Sequence, residues 1–570
     1  MDNWRNMVLA GVLTLAILIG WPILTRTFFP VANPPATKVV DGKSVALPNP
    51  AADPAADSAA AVRDRATVLR ETPRVRIDAP RVAGSINLTG ARIDDLVLST
   101  YRETVDPKSP PIRLLSPSGT EKAYFAGFGW AGDGVALPGP DTVWRASGPV
   151  LSPATPVTLS WSNGAGQQFE IALSIDDGFM ITAVQRVANG GAGAIAARPY
   201  ALVSRTGTSP DPDSWTQHVG PIGTFGGATN YDIDYKDLTP ANGAQTFDST
   251  GGWIGFTDKY WLVAIAPDQR VPFNGSLRGG SGDRYQADAT IAPQVVEPGK
   301  VAQSTTRLFA GAKEIGTLQR YESDLGIVNF ERAVDWGWFR IIEKPIFFVL
   351  DWLFKLTGNF GVAIILLTVV VRGLMFPVAQ RQFASMAGMR AIQPKMKALQ
   401  ERHKDDKPTL QQEMLKLYQQ EKVNPVAGCL PIVLQVPIFY ALYKVLMLTI
   451  EMRHQPFVLW IRDLSAPDPL TPLNLFGLLD FTPPHILAIG VLPILLGITM
   501  YLQFKLNPQP MDEMQKQIFG LMPWIFMFVM APFAAGLQLY WTVSNLLTIA
   551  QQKWLYSRHP GLQAASAPAK

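Results

Sequence analysis

The chain has almost no cysteine and little charge, and both shortages exclude whole classes of function. Its one cysteine, Cys429, lies in an apolar run and has no partner for an intrachain disulfide or a cysteine metal cluster. It reads as a small buried apolar residue. The histidines, His218, His403, His454, His485 and His559, are scattered, and none forms the HExxH pair of a zinc hydrolase helix. Charged residues are 17% of the 570, and a net charge of +4 with an isoelectric point near 8.9 lacks the dense basic face of a nucleic-acid binder. No directly bound nucleic acid, cofactor or metal is expected. The remaining shortage is of Asp and Glu inside the long apolar runs, where none is found.

What is present is apolar and unevenly spread. Hydrophobic residues make up 47% and the mean hydropathy is +0.11, too apolar for a purely soluble protein. Residues 31–330 read as soluble, whereas 345–556 hold nearly all the long hydrophobic runs. Residues 1–29 read as an N-terminal transmembrane anchor built on Met7–Leu24 (MVLAGVLTLAILIGWPIL); a cleaved signal peptide is the alternative, but Arg26, Phe28 and Phe29 follow without a small-residue cleavage site. Residues 30–75 form a Pro/Ala-rich linker, too poor in large apolar side chains for a core.

Residues 76–325 read as an all-β sandwich domain. Phe169, Ile171, Leu173 and Ile175 share one face, the Asp177-Gly178 turn follows, and Phe179, Ile181 and Ala183 resume the alternation, which predicts a hairpin. Further strand-like runs cover Ile86–Thr100, Thr158–Trp161, Trp253–Phe256 and Trp261–Ala266. Residues 326–357 read as connecting and interfacial helices, with Glu314–Trp338 helical. Within Phe339–Leu356, Lys344, Asp351 and Lys355 lie opposite Ile346, Leu350, Leu353 and Phe354, which suits a helix lying in a membrane interface.

Transmembrane helices are expected at 358–379, 425–450, 485–503, 518–532 and 533–555, six with the anchor. The loop 380–424 carries nine Lys or Arg residues, Arg381, Arg390, Lys395, Lys397, Arg402, Lys404, Lys407, Lys416 and Lys422, against Arg453 and Arg462 in loop 451–484. The positive loop is therefore cytoplasmic, as are loop 504–517, the tail 556–570 and the N-terminus, and the β-domain lies outside, in a bacterial periplasm. Within 380–424 the apolar spacing of Met386, Met389, Ile392, Met396 and Leu399, a break at HKDDKP, and Leu410, Met414, Leu417 and Tyr418 predict a helical hairpin.

Arg372 interrupts the apolar run Asn359–Pro377 (NFGVAIILLTVVVRGLMFP) with a charge it cannot lose. An arginine near a helix centre costs about 2.5–3.5 kcal/mol on insertion scales, so it faces protein or water unless it snorkels to the interface. Thr368 shares its helical face, and Gln435 lies at similar depth in LPIVLQVP. Gln538, Trp541 and Asn545 recur at helical spacing in the last span, beside Tyr540 and Ser544. Hydrogen bonds between helices explain Gln538 or Asn545. They do not explain Arg372, for which a shared hydrated pocket open to the cytoplasm is the better account. Met522, Met527 and Met530, with Phe519, Phe526 and Phe528, supply adaptable apolar surface.

Five segments carry a resemblance: TVVVRGLMFP (368–377), QPKMKALQERHKDDK (393–407), EKVNPVAGCLPIVLQVPIFYALY (421–443), FVLWIRDLSAPDP (457–469) and LYWTVSNLLTIAQQ (539–552). Together they resemble the YidC/Oxa/Alb family of membrane insertases, and the MDNWRN anchor with its large outer domain resembles the Gram-negative type. The resemblance implies a core of five helices around a groove open to the cytoplasm and the lipid, with Thr368, Arg372, Gln435 and Trp541 lining it. Pro431, Phe439, Met522, Met527 and Met530 would form a substrate-contact surface. It implies an outer sandwich of the sugar-mutarotase type, here a scaffold. The implied partners are nascent membrane proteins, the Sec translocon, membrane lipids, and a ribosome or targeting receptor at the 380–424 hairpin. The short end YSRHPGLQAASAPAK departs from members with a long basic tail.

Three rival readings are open. A transporter of an anionic solute would use Arg372 as its binding charge, but the membrane region carries no inverted repeat. An intramembrane protease would need paired Asp or a Ser-His pair within the spans. A carbohydrate enzyme would need carboxylates such as Asp176 and Asp177, which the hairpin turn already explains. The expected function is non-enzymatic insertion and folding of inner-membrane proteins.

Overall fold

The computed structural model describes residues 62–558 except 133, 212–216, 240–243, 338, 404–405, 422–429, 477, 480–487 and 507–512. The expected anchor at 1–29, most of the linker at 30–75 and the tail beyond 558 lie outside the described residues. The chain forms two compact units, Met1–Arg102 with Pro110–Val334, and Glu103–Ser109 with Asp335–Lys570.

In the first unit, period-two alternation builds two sheets, one of eleven strands and one of nine. Strand Gln167–Ile175 buries every second side chain and pairs antiparallel with Met180–Asn189, Ile175 opposite Ile181. Buried Trp130 of the larger sheet meets Phe169 of the smaller at 5.2 Å, edge to face, so the apolar faces close on each other as a sandwich. The expected run Ile86–Thr100 is two strands, Val82–Asn87 and Arg92–Arg102. Between them Gly90 and Ala91 adopt φ of 78° and 51°, and Asn87 Oδ1 accepts the Thr89 N–H at 2.9 Å, a turn built from local polar chemistry.

The hairpin at Asp176–Phe179 is held by a helix. Asp176 Oδ1 accepts the N–H groups of Gly178 (2.9 Å) and Met180 (3.0 Å), and its Oδ2 accepts the Tyr321 hydroxyl at 2.6 Å. The Tyr321 oxygen in turn accepts the Phe179 N–H at 3.0 Å. This carboxylate is committed to structure. Helix α1 is Arg65–Arg70, and Tyr321 lies on helix α2, Ile315–Leu325, which ends at Gly326 in the left-handed conformation (φ 67°). The helix expected over Glu314–Trp338 is therefore cut short by a glycine cap.

The second unit is helical: α3 Arg340–Thr357, α4 Phe360–Ala391, α5 Gln393–Arg402, α6 Lys407–Gln420, α7 Leu430–Leu448, α8 Val491–Leu506, α9 Glu513–Met530 and α10 Ala535–Arg558. Among the described residues, Phe360–Gln380 is long and apolar enough to cross a membrane, and Gln435–Leu448, Val491–Leu506 and Gly520–Met530 are shorter apolar helices. Several boundaries move from the sequence reading: α4 runs unbroken past residue 379 to Ala391, α8 is Val491–Leu506 rather than 485–503, α9 begins at Glu513 rather than 518, and the end of the expected linker at 30–75 already holds α1 and the start of the strand Arg74–Asp78. Apolar composition marks where lipid would end, whereas a helix continues as long as its residues favour it.

Helix α3 buries Ile346, Phe347, Leu350 and Leu353 and exposes Ile341, Phe348, Val349, Trp352 and Leu356, with Lys355 paired to Asp351 at 2.6 Å. Buried Asp468 orders the segment before α8: it accepts the Leu492 N–H (2.7 Å) at that helix's first turn and the Trp460 indole N–H (3.0 Å).

Candidate functional site

Arg372 projects from α4 toward α10, where its Nε donates to Ser544 Oγ at 3.0 Å and a terminal guanidinium nitrogen donates to the same oxygen. Ser544 lies one turn from Tyr540 on α10, and the Tyr540 hydroxyl accepts Gln435 Nε2 from α7 at 3.4 Å. Trp541, next in sequence, packs against Phe439 of α7 (4.3 Å between ring centroids) and Phe526 of α9 (4.5 Å, near perpendicular). Arg372, Gln435, Trp541 and Phe439 thus meet on α10, joined by Ser544, Tyr540 and Phe526.

The geometry is unusual in what it gives the cation. Among the described residues Arg372 makes no ion pair; a hydroxyl and the nearby Tyr540 phenol are its polar company. A guanidinium offers five donors in a fixed fork, and a serine oxygen uses two of them. The arrangement holds the charge in place while leaving donor capacity that Ser544 does not use.

Other expected residues lie elsewhere. Thr368 is fully buried and its hydroxyl donates to the Ile364 carbonyl at 2.7 Å, so it packs within α4 rather than joining the polar group. Gln538 is spent on the turn between α9 and α10, its Nε2 donating to the carbonyls of Met530 (2.8 Å) and Phe533 (2.8 Å). Asn545 Nδ2 donates to Thr499 Oγ1 at 3.2 Å, tying α10 to α8. Both are the interhelical bonding that explains such residues without a site.

The methionines also differ from expectation. Met530 is buried, Met522 is half-buried, and Met527 packs on α8 at Gly497, where an added Cβ would sit 3.3 Å from it. The exposed apolar face of α9 is instead Leu521, Trp524, Ile525, Phe528 and Val529. The side chain of Pro431 lies outside the described residues.

Two families match this sequence, the "YidC periplasmic domain" over residues 74–349 and the "60Kd inner membrane protein" over 352–562. A "Membrane protein insertase YidC" of Zymomonas mobilis is 50% identical over 557 residues, covering 97% of this chain and 95% of that protein. One of Methylobacterium nodulans is 45% identical over 580 residues, covering 98% and 96%. Among solved structures, an active YidC insertase aligns over 94% of this chain and 98% of its own at 17% identity, with a TM-score of 0.36 too low to carry an argument. A galactose mutarotase related enzyme of Lactobacillus acidophilus covers 42% of this chain at a TM-score of 0.30 and carries none either. Nothing among these relatives supports solute transport. The sequence matches establish that the chain belongs to the YidC family of membrane protein insertases, inner-membrane proteins with a periplasmic domain that act on membrane proteins.

Proposed function

We propose that this insertase moves short polar tails of its substrates past Arg372, with Gln435, Tyr540, Ser544 and Trp541 lining the passage. The observation that carries the reading is a half-buried guanidinium held by hydroxyl chemistry with no carboxylate partner among the described residues. An acidic tail entering this low-dielectric region meets a cation whose attraction is poorly screened, and leaves it by moving on. The apolar segment behind the tail then exits along the exposed face of α9 into lipid, its contact with Trp541, Phe439 and the methionine set being part of the same proposal. Thr368 contributes by packing α4, one turn from Arg372.

The topology belongs to the same reading: six spans with both termini in the cytoplasm, five of them forming the core. Helices α5 and α6, packed through Ile392, Met396 and Leu417 and joined by the Lys395–Glu421 pair at 2.5 Å, form a cytoplasmic hairpin that docks a ribosome or targeting receptor. The Sec translocon and membrane lipids complete the proposed partners, with the β-sandwich as a periplasmic scaffold.

The test is a photocrosslinker at Gln435 or Trp541 in the full-length protein, with translation of a single-span membrane protein arrested part-way. Crosslinks from the nascent span are expected at both positions. Crosslinks confined to a distant control position on α8 would refute the route.

A further inference from the structure

A second cation in the helical unit has a different environment. Lys444 of α7 is 2% exposed, and its Nζ lies 3.6 Å from Asp335 Oδ1. Gly337, at φ 60°, passes so close that an added Cβ would sit 2.6 Å from that Nζ. The ammonium is enclosed by the turn that leads into α3.

One turn into α3, Glu343 is fully buried, and neither of its carboxyl oxygens has a hydrogen-bond partner among the described residues. It interacts electrostatically with Lys444 and Asp335, and Tyr440 of α7 faces the same carboxylates. Lys444 and Tyr440 from α7 and Asp335 from the preceding turn are the titratable groups facing it. Around this cluster Phe339 packs on Tyr440 (5.4 Å) and Trp336 on Phe347 (6.0 Å), and three turns further along α3 Phe354 packs on Phe360 of α4 (4.5 Å).

The charge balance is uneven. Half-buried Asp335 already compensates Lys444, so an ionised Glu343 adds a second negative charge, this one fully buried and without hydrogen bonds, an expensive arrangement. We propose that Asp335, Lys444 and Glu343 form a proton-dependent latch that sets how firmly α3 is seated on α7. Lys444 and Glu343 are positioning residues in this device; the inference rests on packing within the helical unit and is independent of the route past Arg372.

Burial pushes the Glu343 carboxyl up from 4.5 to about 7, with Lys444 pulling it down and Asp335 pushing it further up. The seated state therefore holds a proton that the unseated state has released. Seating is firmest below the ordinary carboxyl range, weakens as pH rises through it toward about 7, and is level above that. Seating weakens about tenfold for every step of one in pH across this interval, about three-hundredfold in all.

Hydrogen exchange of the full-length protein in lipid nanodiscs tests this, read at α3 amides between acidic and mildly basic pH and corrected for intrinsic exchange. In the unmodified chain the α3 protection factor is expected to fall about three-hundredfold across that range, with α8 as the internal control. Glu343→Gln keeps the shape, removes the titration and should give high, level protection. Lys444→Met should move the midpoint upward. A level profile in the unmodified chain overturns the proposal, as does an unchanged slope in Glu343→Gln; if Lys444→Met does not fold, Glu343→Gln still decides.

Discussion

Arg372→Ala should impair insertion according to the charge of the tail being moved. The guanidinium is fixed on Ser544 by two donors, so its position does not relax toward water when a substrate arrives. A substrate carboxylate about 5 Å away gains about 3 kcal/mol at an effective dielectric of about 20, against about 1 kcal/mol in bulk water. With about 1.4 kcal/mol per factor of ten, losing the cation should slow an acidic-tailed substrate about 10- to 100-fold. A neutral tail, lacking the Coulomb term, should stay within about twofold. Arg372→Lys keeps the charge but not the fork on Ser544, and should fall between the two. The assay is the initial rate of protease-protected tail in liposomes containing the purified protein, with two single-span substrates differing only in acidic against amide side chains. Equal losses for both tails, or Arg372→Lys as defective as Arg372→Ala with the acidic one, would refute an electrostatic role.

Three smaller predictions concern the framework. A Cβ at Gly178 would lie 2.2 Å from the Tyr321 oxygen, so Gly178→Ala should destabilise the full-length protein by about 1–3 kcal/mol in urea titration. Adding Tyr321→Phe should recover part of that loss, and strict additivity of the two changes would count against the clash. Gln538→Leu removes the side-chain donor to the Phe533 carbonyl, at about 1–3 kcal/mol, while the Met530 carbonyl keeps the Phe533 N–H at 3.1 Å, and should lower the thermal midpoint in detergent; an unchanged midpoint contradicts the capping role. Burial pushes the Glu314 carboxyl up, but hydrogen bonds from Arg81, Tyr101 and Thr317 outweigh it and hold it below the ordinary range. Its contribution is present above that range and lost as pH falls through the depressed value, so Glu314→Gln should flatten the acid limb of the β-domain's fluorescence transition. An acid limb identical in the variant would exclude the pair.

What could be read without coordinates was whatever is local or chemically out of place. The hairpin through Asp176 and Gly178 is legible because alternation and turn residues sit side by side in the chain. Arg372 and Trp541 are legible because charge and indole are rare in apolar runs. The turn at Thr89–Ala91 does not stand out in the sequence because its glycine is flanked by strand formers, and the end of α2 is hidden because Gly326 permits the left-handed cap without dictating it. Ser544 and Tyr540 stood beside the polar repeat, but only packing of α4 and α7 on α10 selects them over Gln538 and Asn545. Lys444 is as out of place in its apolar run as Arg372 is, whereas Glu343 looks like an ordinary solvated charge on an interfacial helix, and only the position of Lys444 and Asp335 marks the two as one cluster.

The length of α4 has a mechanical consequence. Its 32 residues amount to about 48 Å of rod, against a hydrocarbon layer of about 30 Å. The rod therefore extends beyond any span it forms, and its overhanging end leads directly into α5. Pro377 lies between that end and Arg372, and its ring removes the backbone bond to the Gly373 carbonyl, leaving the helix softest one turn beyond the guanidinium. A load applied at the overhang is taken up as bending at this point. Such bending leaves the Arg372 guanidinium on Ser544 undisturbed.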